Sequence, residues 1–219
     1  LSVIDILFFV QGRTGYVSLA FNAIVFVVLS NGWRERIITA AMVGVIALLA
    51  VNYSTNFKAR VELAVQEYQA QDEKKLTSVG QRVEFAKKGW QLMAERPLFG
   101  FGTGSYKKEF CRVAETKEWC DAGNFHPHNQ FLSFGVQLGA LGLIAYLTFL
   151  FVCVKQALTL PPVQKIMGAG LVATLIADSL FHAPLFLISE AAFFILLFPV
   201  FMAIKPDLTS PPEHPVSVN

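Results

Sequence analysis

The sequence predicts an all-α fold: a polytopic bundle of transmembrane helices with a long, partly helical loop on one side. Three observations predict it. Hydrophobic residues make up 54% of the 219 residues and charged residues only 16%. The apolar residues gather in long runs, and one long polar stretch separates these runs into two groups. A soluble domain of this length does not need so much apolar surface, and the net charge of +2 gives no case for a nucleic-acid partner.

The apolar runs predict the order of the helices. A hydrocarbon core of about 30 Å is crossed by roughly 20 apolar residues in a helix, and residues 131–154 fit that length. We predict further membrane helices over residues 16–30, 37–51, 166–181 and 188–204, and the end of another helix over residues 1–10. The chain is then divided into transmembrane helices (1–51), a loop with amphipathic helices (52–128), transmembrane helices (129–204) and a disordered cytoplasmic tail (205–219).

Basic residues in the short loops predict how the helices are oriented. An excess of Lys and Arg marks the cytoplasmic side of a membrane protein. Three segments between or after the apolar runs carry basic residues: Arg34 and Arg36 in the first, Lys155 and Lys165 in the second, and Lys205 in the tail. If successive helices cross the membrane in alternate directions, all three segments lie on the cytoplasmic side. The turn at residue 13, the loop from 52 to 129 and the turn at residue 182 then lie together outside.

The long loop has helical patterns of its own. Residues 55–75 are polar and predict an exposed helix. A second helix is predicted from residue 77 to Pro97, with Ser78 and Gln81 spaced as a capping box. Apolar residues at three- and four-residue steps predict that Trp90 is buried against the membrane domain and that Arg82 lies on the flank of the apolar face. The members of this face are Val79, Val83, Ala86, Trp90 and Met93.

A glycine-rich segment, residues 97–106, allows two interpretations. Alternating glycines can take positive φ and turn backbone amides toward an anion. The segment lacks the Lys-Ser/Thr ending and the strand–helix frame of a nucleotide-binding loop. A tight turn that packs Phe99 and Phe101 at the membrane surface explains the pattern at least as well.

The three cysteines have different surroundings. Cys153 lies in an apolar run and is predicted to be a small buried hydrophobic residue. Cys111 and Cys120 lie in the polar loop, nine positions apart, and can form a disulfide if the loop faces an oxidising compartment. Spacing alone leaves that question open.

The stretch from His126 to Leu132 contains the strongest candidates for chemistry. It places imidazoles and an amide where the polar loop enters a membrane helix. A simpler explanation is that His and Asn only cap this helix. The predicted topology, however, gathers further candidates on the same face: Arg13, Arg82, His126, His128 and His182, with Asp178 about one turn inside.

These residue types suit a phosphate-bearing ligand. Guanidinium groups bind phosphate with two hydrogen bonds, and a neutral imidazole can remove a proton from a hydroxyl. A single arginine at a helix end often only reaches for the membrane surface, but Arg13 stands where topology does not need positive charge. A metal site is disfavoured, since His126 and His128 are two apart and no Cys or acidic residue has ligand spacing beside them. No Gly-x-Ser-x-Gly motif indicates a serine nucleophile.

An ordered set of motifs is similar to one known family. The set resembles the O-antigen ligase/polymerase superfamily of bacterial inner-membrane glycosyltransferases, and most closely its O-antigen ligases. The resemblance covers nearly all of the chain, and residues 178–184 contribute to it less diagnostically. Its motifs are Gly12-Arg13-Thr14-Gly15, Arg82, Trp90, Arg96-Pro97-Leu98-Phe99-Gly100-Phe101-Gly102, His126-Pro127-His128-Asn129-Gln130-Phe131-Leu132 and Gly139-Ala140-Leu141-Gly142-Leu143.

The resemblance implies a reaction and roles for particular residues. It implies metal-independent, cofactor-free transfer of an oligosaccharide from undecaprenyl pyrophosphate to a hydroxyl, which in the ligases belongs to the lipid A–core. The family's loop histidine corresponds to His128 and its essential loop arginine to Arg82. Arg13 corresponds to the arginine of the Arg-Thr-Gly turn, and His126 and Asn129 are expected to assist in substrate binding. Family members have about a dozen membrane helices, so this chain would be a C-terminal portion whose site faces the periplasm.

Other functions are also compatible with parts of this pattern. An O-antigen polymerase or a protein O-oligosaccharyltransferase of the same superfamily would differ in the acceptor, which the sequence does not identify. A transporter is a different class, and transporters place charged residues near the middle of the membrane on broken helices. In this chain only Asp178 is a candidate for such a position.

Overall fold

The chain forms a helical bundle capped at one end by a folded loop. A computed structural model describes residues 13–29, 32–53, 58–59, 61–63, 65–66, 76–123 and 126–203. These residues contain no β-strand, which confirms the all-α prediction. The helices are α1 (Arg13–Leu29), α2 (Trp33–Tyr53), α3 (Ser78–Glu95), α4 (Tyr106–Val113), α5 (Lys117–Ala122), α6 (Gln130–Thr159), α7 (Pro162–Phe181) and α8 (Ile188–Ala203), with a 3₁₀ turn at Pro184–Phe186.

Within the described residues, three helices, α2, α6 and α7, are long and apolar enough to cross a membrane. Helices α1 and α8 are also apolar but shorter, with 17 and 16 residues. The chain is therefore a multi-pass membrane protein. The predicted helix end at 1–10, the tail at 205–219 and most of the predicted helix at 55–75 lie outside the described residues.

Several helices begin earlier than their apolar runs predict. α1 begins at Arg13 rather than at residue 16, so the expected turn at Arg13-Thr14-Gly15 is wrong for these three residues. α2 begins at Trp33 and α7 at Pro162, each four residues early. The first turn of a helix has amides without intrahelical partners, so it accepts polar residues, glycine and proline that hydrophobicity does not register.

Hydrogen bonds and an aromatic core hold the membrane helices together. α1 runs beside α7, where the Ser18 hydroxyl donates to Asp178 Oδ1 at 2.6 Å and the Asn22 amide donates to Thr174 Oγ1 at 2.8 Å. Cys153 is buried and unbonded, as predicted. It belongs to the core between α6, α7 and α8, which consists of Tyr146, Leu150, Cys153, Leu171, Val172, Leu175, Phe194 and Phe198.

Helix α3 lies against α6 with a different face from the predicted one. Phe85, Gly89 and Leu92 are buried, whereas Trp90 is 64% exposed, so the predicted burial of Trp90 is wrong. Gly89 lies in this contact, where an added Cβ would be 3.4 Å from the Leu132 side chain, an ordinary van der Waals distance. Glycine adds little to an apolar pattern, and the sequence therefore indicated a face rotated by one residue.

The beginning of α3 also differs from the prediction. The N-cap is Thr77, whose hydroxyl accepts a hydrogen bond from the Gly80 amide at 3.0 Å. The Ser78–Gln81 capping box is wrong because the helix is capped one residue earlier. Its predicted end is confirmed, since α3 stops at Glu95, two residues before Pro97.

Helix α6 is broken at Gly139, and the glycine-rich turn repairs the break. Gly139 has φ 64° and ψ −155°, which frees two carbonyl oxygens before it and two amides after it. All four groups bond to the turn instead. Phe101 N donates to Val136 O (2.9 Å), Gly102 N to Gln137 O (2.8 Å), Ala140 N to Pro97 O (2.7 Å) and Leu141 N to Leu98 O (3.4 Å).

These four hydrogen bonds between the turn and α6, which we call the interlock, require a glycine in the turn and a glycine in α6. A Cβ at Gly100 would lie 2.5 Å from the Gln137 backbone, and a Cβ at Gly139 would lie 2.4 Å from the Leu98 backbone. The turn does have positive φ at Gly100, Gly102 and Gly104, as predicted. Its amides at residues 101, 102 and 104 nevertheless bond to α6, so the segment is a tight turn and the anion cradle is wrong. Phe99 is 72% exposed, and packing of Phe99 and Phe101 at the membrane surface stays a prediction.

A disulfide joins α4 to α5 and answers the question that the spacing left open. Cys111 and Cys120 are bonded. Tyr106 and Phe110 of α4 are fully buried, and they share a small core with Phe85 and Leu92 of α3. The loop therefore has a hydrophobic core of its own that also includes Val136 of α6.

Candidate active site

Three imidazole rings meet where the folded loop joins the membrane helices. The ring centroids of His126 and His128 are 4.8 Å apart, and the ring of His182 lies 5.4 Å from each of them. His126 and His128 immediately precede α6, whereas His182 ends α7 as its C-cap. The structure thus brings together three histidines that the predicted topology placed only on the same face.

His128 has a backbone conformation that is rare for its residue type. Among the described residues it alone has positive φ without being glycine, at 51°. Such conformations cost on the order of 1–3 kcal/mol and are retained where the surroundings enforce them, commonly at functional sites. Phe85 of α3 stacks on the His128 ring, with centroids 5.9 Å apart and planes 14° from parallel.

The side chain of His126 is hydrogen-bonded to the backbone of His128. It is buried, with 7% of its surface exposed, and its Nδ1 accepts a hydrogen bond from the backbone amide of His128 at 3.3 Å. An imidazole that accepts at Nδ1 carries its proton on Nε2 when it is neutral. This contact agrees with an orienting role for His126.

Arg82 lies on α3, three residues before Phe85, and its charge acts on His128. Burial, followed by the neighbouring His126, His182 and Arg82, lowers the pKa of His128 to about 4. Burial and His182 lower the pKa of His126 to about 4 as well. Both imidazoles are therefore neutral at pH 7.

The backbone of Arg13 lies at the same end of the bundle as the histidines. Arg13 begins α1 five residues before Ser18, and Ser18 bonds to Asp178, which is four residues before His182. The helix rise of 1.5 Å per residue then places the start of α1 at about the level of His182. The Arg13 side chain lies outside the described part of the chain, so its contact with substrate stays a prediction.

Asn129 holds the two histidine-bearing segments together. Its Oδ1 accepts from Leu132 N at 2.9 Å, which caps α6, and its Nδ2 donates to Leu180 O at 3.0 Å near the end of α7. The simpler capping explanation is thus correct for this residue. Its predicted contact with substrate stays a prediction, and both polar groups of its amide already have partners in the fold.

Sequence reasoning missed two residues that shape this region. Gln130 is fully buried and its Oε1 accepts from Leu185 N at 3.0 Å, which fixes the turn after His182. Glu190 places Oε2 3.3 Å from His182 Nδ1. Gln130 could have been found as a polar residue at the start of an apolar helix. No sequence pattern indicates the contact of Glu190 with His182, because this contact depends on the turn at Pro184 that reverses the chain.

The three imidazoles also form a possible metal-binding group. One nitrogen from each ring lies within 4.8 Å of the other two. Zinc binds imidazole nitrogen at about 2.0–2.1 Å, so the rings would have to move closer together. In addition, His126 Nδ1 already accepts from the backbone. The expectation of a metal-free site stays a prediction.

Comparisons with known proteins identify the family. A family model described as O-antigen ligase matches residues 1–147. The matched part includes Arg82, His126, His128 and Asn129, and it ends before His182 and Glu190. A comparison with curated proteins gave no match. Because the match covers about two thirds of the chain and ends on α6, beyond the folded loop, the chain belongs to the O-antigen ligase family of membrane glycosyltransferases.

Proposed function

We propose that this chain carries the catalytic site of an O-antigen ligase. In this proposal the protein moves O-antigen from undecaprenyl pyrophosphate to a hydroxyl of the lipid A–core, without a metal and with inversion at the anomeric carbon. The observation that carries the proposal is the convergence of His126, His128 and His182, with the charge of Arg82, beside apolar membrane helices.

His128 acts as the general base in this mechanism. Its neutral imidazole takes the proton from the acceptor hydroxyl as the oxygen attacks the anomeric carbon. A pKa of about 4 would make His128 a weak base in the free protein. The negative charge of a bound pyrophosphate opposes this effect and raises the pKa, so the base strengthens when the donor is present.

Arg82 and Arg13 bind the pyrophosphate. The donor already has a good leaving group, so catalysis mainly requires stabilising the charge that develops on it and placing the acceptor oxygen in line. A guanidinium suits this task because it is permanently charged and forms paired hydrogen bonds with phosphate. A single displacement of this kind does not need the carboxylate pair of glycoside hydrolases.

A periplasmic location in the bacterial inner membrane is part of the proposal. Arg34 and Arg36 begin α2, and Lys155 and Lys165 flank the turn between α6 and α7. Following the helices through the bundle, these basic residues lie at the end away from the histidines, which supports a cytoplasmic assignment for that end. The Cys111–Cys120 disulfide in the loop agrees with an oxidising compartment on the other side.

Transfer by the full-length protein in lipid nanodiscs tests this function. The assay supplies a pyrophosphate-linked donor and rough lipopolysaccharide, in the presence of a chelator. We expect His128→Ala to lower the rate by at least about 100-fold, as for loss of a general base. We also expect a marked loss with Arg82→Lys, because an ammonium does not replace the fork of a guanidinium.

The matched control is Lys87→Ala, which removes an exposed charge from the same helix and should leave the rate unchanged. Normal transfer by His128→Ala would contradict the base assignment, and loss of wild-type activity on chelation would contradict metal independence. If the donor were used only with a second lipid-linked glycan or with a protein acceptor, the enzyme would instead be a polymerase or an O-oligosaccharyltransferase.

A further inference from the structure

The Nδ1 atom of His182 is in contact with a carboxylate. It lies 3.3 Å from Oε2 of Glu190, which stands in the first turn of α8. A carboxylate at Nδ1 keeps the imidazole proton on that nitrogen, leaves the lone pair of Nε2 available and stabilises the imidazolium once it forms. This pair places an acidic side chain directly against one imidazole of the cluster.

The tautomer of His182 is opposite to that of His126. His126 accepts at Nδ1 and thus carries its proton on Nε2. An ionised carboxylate can only accept, so the contact with Glu190 requires the proton of His182 on Nδ1. The pair Glu190–His182 is also partly open to solvent, with 38% and 26% of the side chains exposed. The cluster therefore contains one buried imidazole that supports the backbone of His128 and one half-buried imidazole that can accept a proton.

The distance between the rings allows proton transfer through one water. One nitrogen of His128 and one of His182 lie within 4.8 Å of each other. A single water spans this gap with two hydrogen bonds of about 2.8 Å each. Burial lowers the pKa of His128, so its imidazolium gives up a proton readily to a neighbour whose positive charge is paired.

We propose that His182, held by Glu190, receives the proton that His128 removes from the acceptor hydroxyl and releases it toward solvent. The inference rests on the proposed function. In the complete step the acceptor oxygen bonds to the anomeric carbon, and the bond from that carbon to the pyrophosphate oxygen breaks with its electron pair on the pyrophosphate. The hydroxyl proton passes to His128, then to Nε2 of His182, whose charge Glu190 balances.

Two substitutions test the relay in the nanodisc transfer assay. We expect His182→Ala to lower kcat about 100-fold, with donor affinity within about twofold of wild type. Added imidazole should recover at least about tenfold of this loss, because the small base can enter the space that the side chain leaves. A purely structural role for His182 would give no rescue.

Glu190→Gln keeps a hydrogen-bonding partner for His182 but removes the negative charge. The charged and titratable groups around His182 are Glu190 on α8, Asp178 on α7, and His126 and His128 before α6. Without the carboxylate, an imidazolium at His182 has no negative charge beside it. We therefore expect a lower kcat together with a shift of the pH–kcat profile. Glu118→Gln, on the exposed helix α5, is the matched control and should change neither.

The outcomes separate the relay from the function that it serves. If His182→Ala and Glu190→Gln transfer at the wild-type rate while His128→Ala is inactive, the relay is overturned and the proposed function stands. An equal loss in both variants, with no imidazole rescue and no shift of the pH profile, also overturns the relay. If the wild-type protein does not transfer from the pyrophosphate-linked donor, the proposed function itself fails.

Discussion

The helix α2 and the folded loop from residue 76 to residue 129 are built in opposite ways. The membrane-spanning part of α2 has no buried residues, and its large apolar side chains, such as Ile38, Met42 and Leu48, are exposed. The loop has its own core, a disulfide and a glycine turn that interlocks with a broken helix. Composition alone thus specifies α2, whereas individual residues specify the loop that positions the site.

The physical reason lies in the solvent that each region meets. Lipid is as apolar as leucine, so a membrane helix gains little from choosing one face over another, and any apolar sequence of the right length suffices. The loop must bury Phe85, Tyr106 and Phe110 away from water and must satisfy the backbone groups that the break at Gly139 frees. Substitutions should therefore have much larger effects in the loop than in α2.

The largest difference is expected between two glycine substitutions. Gly100→Ala brings a Cβ to 2.5 Å from the Gln137 backbone at a residue with positive φ, so the turn must leave α6. We expect a loss of at least about 2 kcal/mol of stability and of nearly all transfer. Gly44→Ala in α2, where nothing lies within 4 Å of the added Cβ, should be neutral or slightly stabilising. Thermal unfolding in nanodiscs and the transfer rate measure both.

A third glycine separates steric overlap from backbone strain. Gly102 has φ 96°, but an added Cβ there meets nothing within 4 Å. Gly102→Ala should consequently cost less than Gly100→Ala. Equal losses would show that the close approach to Gln137 does not matter and that only the left-handed conformation does.

The disulfide should also contribute to the stability of the folded loop. It closes a short loop between α4 and α5, and a crosslink of this length contributes about 2–3 kcal/mol in the chain-entropy model. We expect the double variant Cys111→Ser, Cys120→Ser to lower the Tm, and dithiothreitol to do the same in the wild type but not in the variant. An equal effect of the reductant on the variant would mean that it acts elsewhere.

Acid should lower the stability of the region around His126 and His128 before it affects α2. Burial lowers the pKa of His126 and His128 to about 4, below the value of about 6.5 in the unfolded chain. Their contribution to stability is complete above pH 6.5 and is lost as the pH falls toward 4, because the unfolded state then binds more protons. The Tm should decrease over this range in the wild type and less in His126→Gln. An equal decrease in both would assign the acid sensitivity to other groups.

The same contrast explains what the sequence could and could not predict. Hydrophobic runs predicted every described membrane helix, and the ordered motifs predicted the family. The topology that the basic residues predicted placed His126, His128 and Arg82 at one end. The prediction of the buried face of α3 was wrong because Gly89, which is buried in the contact, has no apolar side chain and does not appear in a hydrophobic pattern. The Glu190–His182 pair was missed because a contact across a chain reversal has no periodic signature in the sequence.

The smallest predicted effect tests whether lipid or protein contacts the exposed face of α2. Leu48 of α2 is 65% exposed, whereas Leu92 of α3 is fully buried in the loop core. Leu92→Val should lower the free energy of unfolding by about 1 kcal/mol, because it removes a methylene from a packed core. Leu48→Val should stay within about 0.5 kcal/mol when lipid covers that face, since lipid chains fill the space of the lost methylene. Unfolding of the full-length protein in nanodiscs compares the two directly. A loss at Leu48 that equals the loss at Leu92 would show that protein, and not lipid, packs on this face of α2.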